Sequence, residues 1–525
     1  MKKLIFTLAL CLVSTGAWAQ CNGVFGANTV CGSVAGGIPG QVSTSILTGV
    51  PGGSPGQVQF NSAGAFGGLT NAQLTALINP FSSTLSGAVP ASGGSSTSLF
   101  LNQAGGFTAP PYPVTSVFTR TGAVAATSGD YNAGQITYTP VGTGGVATTD
   151  KAVLDRIVWV NDYGAVCDGT TNDATAFQNA INQGQTSGRP VRWIGNCAIN
   201  SGLSITGSLD FGSFSGGIYT GQSRLTVTSA SVLGITVTTA NGNPVNFHDF
   251  GMQYSPAANA GVAAITITGT ASNENSGSVL ERLYLNGGIA IGVDFVKASS
   301  WRLVNSTIVS SLAASTAIRI ANTNNGDSGD NTVYGNLIQQ TGGSGVGITW
   351  NSSGGTRIEN NKILGVTMAN GIALSLANGV VTSDIFIDGN SIEGLATSGI
   401  SVNIVRSGTT GGLNHIVIGH NELGGGQVCV SVPTDANGTW INNINITGNT
   451  CQNVNTSSAI GFNINSAVGI VVTNNNYWAT GAGTNQVVAI GASATAANCI
   501  TGFNSQVGTM TASTFGSCTH IAPPP

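Results

Sequence analysis

From residue 247 to residue 477, apolar side chains or a small thiol recur at two fixed offsets from a third position. That third position is Phe250, Leu283, Ser306, Asn336, Asn361, Asn390, Asn421, Asn449 and Asn475. Its members lie 23 to 33 residues apart, about 28 on average, which is a solenoid repeat. Three residues before each stand Phe247, Leu280, Leu303, Val333, Ile358, Ile387, Ile418, Ile446 and Val472. Two residues after stand Met252, Leu285, Ile308, Ile338, Ile363, Ile392, Leu423, Cys451 and Tyr477. The apolar residue before ends a strand facing the core; the one after begins the next strand past a bend. Asn at the bend is expected to accept the left-handed conformation and to bond neighbouring backbone. The six Asn from Asn336 to Asn475 are expected to stack as a hydrogen-bonded ladder. Adjacent coils then complete each other, and no coil is stable alone. Unequal coil lengths put loops of different reach on one side, where binding sites gather.

Upstream, Val158 to Val160 reads as a strand and residues 174–183 as a helix, with Asn172 or Asp173 as its cap. Phe177, Ala180 and Ile181 share one helical face, and Arg189 to Gly195 is the next strand. The block from Asn161 to Ile181 holds Asp-Tyr-Gly-Ala, then Asp-Gly, then Asp followed by Ala-Phe-Gln and Ala-Ile. It resembles the opening signature of the pectate-lyase-like superfamily, which includes rhamnogalacturonase- and epimerase-type proteins and many phage tailspikes. The resemblance implies an all-β, right-handed, single-stranded parallel β-helix over residues 157–500, its N-terminal end capped by this strand–helix unit. Asp162, Asp168 and Asp173 match the motif and are read as cap and turn residues.

The N-terminal part differs in kind. Residues 1–19 read as a signal peptide: Lys2 and Lys3, an apolar run from Leu4 to Val13, and Ala17-Trp18-Ala19 before Gln20. The expected localisation is secreted, extracellular or at the cell surface, with the periplasm as an alternative. Residues 20–110 are a Gly/Ser/Pro-rich stalk in which Val58 to Phe66 returns as Leu99 to Phe107. Each copy reads as a short strand, a turn and an aromatic. Residues 111–156 resemble segments of phage tail fibres and tailspikes, as does Pro55 to Gly68; that likeness implies a homotrimer. Residues 501–525 are expected to be a C-terminal cap or tail. Eight cysteines follow the signal segment and fall into four near-neighbour pairs, expected as disulfides: Cys21 with Cys31, Cys167 with Cys197, Cys429 with Cys451, and Cys499 with Cys518.

Composition narrows the chemistry. The 525 residues hold 15 Lys+Arg and 19 Asp+Glu, with net charge −4, so nothing draws the chain to nucleic acid or an anionic membrane. No run past the first 20 residues approaches the length of a membrane span. Function must come from few charges. The residue two before each Asn faces outward, giving the column Tyr334, Glu359, Asp388, Gly419, Thr447, Thr473. Glu359 and Asp388 are then neighbours on adjacent coils, with Arg357 outward beside them. Such carboxylates repel by about 3 kcal/mol at an effective dielectric of 20. Three readings stay open: a catalytic acid and base, a cation site, or a surface pair neutralised by Arg357.

Tyr334, Lys362, Glu393 and Glu422 are candidate substrate contacts, and Asp327 and Asp330 candidate Ca²⁺ ligands in a polar loop. His415 and His420 flank a strand and read as surface residues. The Asn-Thr-Asp, Asp-Asp, Gly-His-Gly and Arg-Ile-Lys motifs of polygalacturonase-type hydrolases are missing, as is the clustered acidic calcium site of pectate lyases. The expected partner is an acidic polysaccharide, cleaved or modified by a lyase or hydrolase. The alternative is a non-catalytic, tailspike-like adhesin or surface structural protein.

Overall fold

The computed structural model describes residues 143–214, 223–239, 243–269, 275–321, 329–352, 354–424, 426–453, 459–479, 486–491, 499–502 and 504–507. It also describes short pieces near the C-terminus and short strands within 29–139. The chain divides into two units, Met1–Asp130 and Tyr131–Pro525.

In the first unit each copy of the repeat is an antiparallel hairpin. Val58–Ser62 pairs with Ala65–Leu69, and Phe100–Leu101 with Phe107–Thr108. A third hairpin joins Thr29–Gly32 to Gly40–Ser43.

The second unit is a parallel β-solenoid of about 10 turns. One coil illustrates it: Asn331–Tyr334, Leu337–Gln340 and Val346–Asn351 lie on three successive faces. Face one is a sheet of 14 parallel strands, and faces two and three share a sheet of 22. The shared sheet arises because Lys362–Leu376 and Ser391–Arg406 turn the corner as single strands. Face one continues past residue 500 through Ile500–Gly502 to Thr519–Ile521, so the winding enters the segment expected to be a cap or tail.

The expected register holds. Val333, Ile358 and Ile387 pair in sequence, as do Ile338, Ile363 and Ile392, and all are fully buried. The Asn ladder forms and gains a seventh rung. Nδ2 of Asn336 donates to Oδ1 of Asn361 at 2.9 Å, and the same bond links Asn361, Asn390, Asn421, Asn449, Asn475 and Asn504. Each Nδ2 also donates to a strand carbonyl of the coil before, as Asn390 does to Ile358 at 2.7 Å.

The left-handed residue is not the ladder Asn, contrary to expectation. It is the residue before it: Asp249, Arg282, Asn305, Gly335, Asn360, Gly389, His420, Gly448 and Asn474, with φ from 49° to 70°. The preceding residue makes the bend, which leaves each Asn side chain free to point inward and bond along the axis. Within this column a side chain lies over the next coil's bend. A Cβ on Gly335 would meet Asn305 Oδ1 at 2.9 Å, and one on Gly448 would meet His420 Cδ2 at 2.9 Å. Gly389 stands against Asn360 in the same way. Glycine therefore follows each bulky bend residue at these three steps.

Upstream of the ladder the core is aromatic: Trp193, Phe211, Phe247 and Phe250 pack with centroids 5.0 to 6.0 Å apart along consecutive pairs. The helix Ala174–Ser187 lies on these first coils, with Phe177 fully buried and 5.3 Å from Trp193. It runs further than the expected 183, carrying Gly184 within it, and ends at Gly188, left-handed at φ 68°. Asp173 occupies the N-cap position, but its carboxylate accepts from the backbone N–H of Val166 and Cys167 at 2.8 and 3.2 Å. The motif aspartate thus pins the preceding loop. Asp168 closes a turn by accepting from Thr170 and Thr171 N–H, bonds that hold its carboxyl well below the usual range. Disulfides join Cys167 to Cys197, Cys429 to Cys451 and Cys499 to Cys518. Cys21 and Cys31 are not both within the described residues. No helix among the described residues is long and apolar enough to cross a membrane.

Candidate functional site

Face one carries an outward row that runs straight down the solenoid. His248, Glu281, Val304, Tyr334, Glu359, Asp388, Gly419, Thr447 and Thr473 are successive register partners. Glu359 and Asp388 are therefore direct neighbours, about 4.8 Å apart at the backbone. Arg357 is outward on the Glu359 strand. Its Nη1 lies 3.1 Å from Glu359 Oε1, and its guanidinium sits 4.4 Å over the ring of Phe386, its own register partner.

Each candidate carboxylate has a cationic or polar partner of its own. Asp388 Oδ1 is 2.9 Å from Nδ1 of His420, the bend residue of the next coil. At the opposite edge of face one, Asp384 Oδ1 is 2.8 Å from Nδ1 of His415, whose ring meets Phe386 edge-on at 5.7 Å. The hydrogen bond to His415, with that from Ser383, holds the carboxyl of Asp384 below its ordinary value. Asp384 and His415 are again left-handed, φ 63° and 58°, in a second bend column at the entry to the face. Two Asp–His pairs thus bracket Phe386 and Val417 on adjoining coils.

The remaining sequence candidates divide by location. Tyr334 is exposed and belongs to the row, one coil before Glu359. Lys362, Glu393 and Glu422 lie past the corner on face two, outside that row. There Ser391, register partner of both Lys362 and Glu422, donates to Glu393 and Glu422 at 3.2 and 3.4 Å. Asp330 is an exposed bend residue at the entry to face one. Asp327 lies outside the described residues.

Sequence reasoning missed the densest charged cluster, at the other end of the row. Asp210 Oδ1 meets Nη2 of Arg192 at 2.7 Å and Nε2 of His248 at 2.8 Å. His248 Nδ1 meets Asp249 Oδ2 at 2.8 Å. Arg282 grips Asp249 through Nε and Nη2 at 2.7 and 2.9 Å and reaches Glu281 through Nη1 at 2.8 Å. The hydrogen bond to Asp210, aided by Asp249, raises the His248 pKa against partial burial and the Arg192 charge. His248 in turn lowers Asp210, and Arg282 lowers Asp249. Asp210, His248, Asp249, Glu281 and Arg282 line a surface groove of about 440 Å³. Its sequence signal was Gly212, which shares the His248 register and is the small residue that admits the ring.

No protein-family model matches the chain. No curated protein matches it in sequence. Solved structures do resemble it. DFA-IIIase from Arthrobacter chlorophenolicus A6 has a TM-score of 0.50 at 12% identity, over 66% of this chain and 94% of that one. The A-module of mannuronan C-5 epimerase AlgE6 from Azotobacter vinelandii has 0.46 at 14%, over 70% and 99%. Tailspike protein 3 of bacteriophage CBA120 has 0.42 at 12%, over 74% of this chain. This chain spans 65% of that tailspike's length. At such identities the likeness speaks to architecture alone, and the architecture is that of a right-handed parallel β-helix.

Proposed function

We propose that this chain binds carbohydrate along face one and cleaves or modifies an acidic polysaccharide there. One observation carries the reading. In a chain with so few charges, Tyr334, Glu359 and Asp388 fall on three consecutive coils in one outward register, with Arg357 and Phe386 alongside. An extended sugar chain suits such a row, because hydroxyls pair with carboxylates and the Arg357 cation can meet a sugar carboxylate. DFA-IIIase, the epimerase and the tailspike share this architecture, which supports a carbohydrate role without naming a reaction.

Glu359, Asp388 and Arg357 are the proposed reacting groups, with Tyr334 as a substrate contact. Lys362, Glu393 and Glu422 are proposed to extend contacts around the corner. A Ca²⁺ ion at Asp330 is proposed as an accessory and is tested by chelation. The signal segment and disulfides support export. The hairpin repeats support a stalk, and the tail-fibre likeness of 111–156 supports a homotrimer, which light scattering measures.

A second reading has its own support. Glu359 is bonded to Arg357 and Asp388 to His420, so both carboxylates are already paired and suit binding without turnover. Incubation with uronic-acid and bacterial surface polysaccharides separates the two. Unsaturated products mean a lyase, and new reducing ends without unsaturation a hydrolase. Binding without either, unchanged in Glu359→Gln/Asp388→Asn, defeats the enzyme reading and leaves the adhesin.

A further inference from the structure

The histidines whose side chains are described fall into two kinds. His248 uses both ring nitrogens, Nδ1 on Asp249 and Nε2 on Asp210, and its side chain is only 20% exposed. It is a structural clasp with both nitrogens already engaged. His420 uses one. Nδ1 meets Asp388 at 2.9 Å, and the side chain is 72% exposed. With Nδ1–H donating to the carboxylate, the lone pair resides on Nε2.

Two glycines shape this pair. A Cβ on Gly419 would stand 2.6 Å from Asp388 Oδ1, so its absence lets the carboxylate lean across to the next coil. A Cβ on Gly448 would stand 3.2 Å from His420 Nε2, so its absence leaves that nitrogen uncovered. Glu359 is the register neighbour of Asp388, and Arg357 is bonded to Glu359. His415 has a similar bond to Asp384, but it sits at the far edge of the face with its ring against Phe386.

We infer that His420 Nε2 is the proton acceptor of the carbohydrate chemistry, and that Asp388, in place of the reacting role given to it above, is a positioning residue that fixes its tautomer. The inference rests on the polysaccharide reading above. In an acidic polysaccharide the C–H bond beside the sugar carboxylate breaks and an N–H bond forms on Nε2. The electron pair of that C–H bond becomes a ring C=C bond as the adjoining glycosidic C–O bond opens. The proton then passes from Nε2 to the departing oxygen, which restores the imidazole. Arg357 is the cation placed to hold the carboxylate, and Asp388 stabilises the transient imidazolium.

The test uses the full chain with polygalacturonate, alginate and hyaluronan as probes. It compares wild type, His420→Asn and Asp388→Asn, since Asn tolerates the left-handed bend at position 420. Calorimetry reads binding, ultraviolet absorbance reads unsaturated product, and ¹⁵N NMR reads the tautomer. His420→Asn should lower kcat about 100-fold while KM changes less than about threefold. Asp388→Asn should lower kcat about 10-fold or more and shift the His420 ¹⁵N signals away from the Nδ1–H form. Unchanged kcat in His420→Asn overturns the inference. Binding by wild type without turnover also overturns it and leaves the glycan-binding reading standing. Failure to bind any of these or the surface polysaccharides removes that reading and this inference with it.

Discussion

The imidazole of His248 fills the space where a side chain of Gly212 would stand. A Cβ on Gly212 would lie 2.9 Å from both Cε1 and Nδ1 of that ring, and closer still to the His248 carbonyl. The two residues are register partners on adjacent coils of face one. Gly212→Ala should displace the ring from Asp210 and cost about 1–3 kcal/mol through overpacking. Gly251→Ala is the control: its Cβ would meet nothing nearer than 3.6 Å, and its effect should stay within about 0.5 kcal/mol. Urea unfolding of both variants checks the difference.

The same cluster predicts a pH signature. His248 has a raised pKa, so its contribution is complete below about 6.5 and fades as pH rises through the folded value. Asp210 and Asp249 have lowered values, so theirs is complete above about 4 and fades as pH falls through the folded values. The cluster therefore stabilises most between about pH 4 and about pH 6.5. The urea-midpoint gap between wild type and His248→Gln should shrink as pH rises from about 6 to about 9. A constant gap would show that the imidazole charge contributes nothing.

The Asn ladder predicts a graded cost by position. Asn390 bonds Asn361, Asn421 and the Ile358 carbonyl and is 1% exposed. Asn390→Ala strands donors and acceptors on the two neighbouring coils and should cost about 3 kcal/mol or more. Asn504 has a neighbour on one side only among the described residues, and Asn504→Ala should cost about half as much. Equal losses at the two sites would mean that the ladder adds nothing along the axis.

The bend column predicts a coupled pair. Gly389→Ala meets both a left-handed backbone, φ 66°, and the Asn360 side chain. It should destabilise by about 2 kcal/mol or more. Asn360→Gly should restore the steric part when combined with it, giving a coupling of about 1 kcal/mol in a double-mutant cycle. Strict additivity would remove Asn360 as the cause.

How much of this was legible in sequence depends on what each residue repeats with. Ile358, Ile363 and Asn361 repeat coil after coil at fixed offsets, so core, register and ladder could all be read. The row Tyr334, Glu359, Asp388 followed from strand alternation alone. The bend was misassigned by one residue because Asn favours left-handed backbone, and the ladder Asn concealed a mixed column of Gly, Asn, Asp, Arg and His before it. That column holds Asp249, Arg282 and His420, so the error hid the histidine partner of Asp388 and the Asp249–Arg282 pair beside His248. Arg192, Asp210, His248 and Glu281 come from four coils at spacings of 18, 38 and 33 residues, too irregular to be seen as one cluster.

In the solenoid each coil bonds only to the coils on either side of it. Pulled from both ends, such a chain yields in instalments, each about 28 residues or roughly 90 Å of thread. The Cys167–Cys197, Cys429–Cys451 and Cys499–Cys518 links enclose 30-, 22- and 19-residue spans and shorten the steps in which they lie. A reductant would lengthen those steps and no others between them. Mechanically the second unit is a spool with three stops, able to absorb a tug by letting out line while the coils still wound keep their grip.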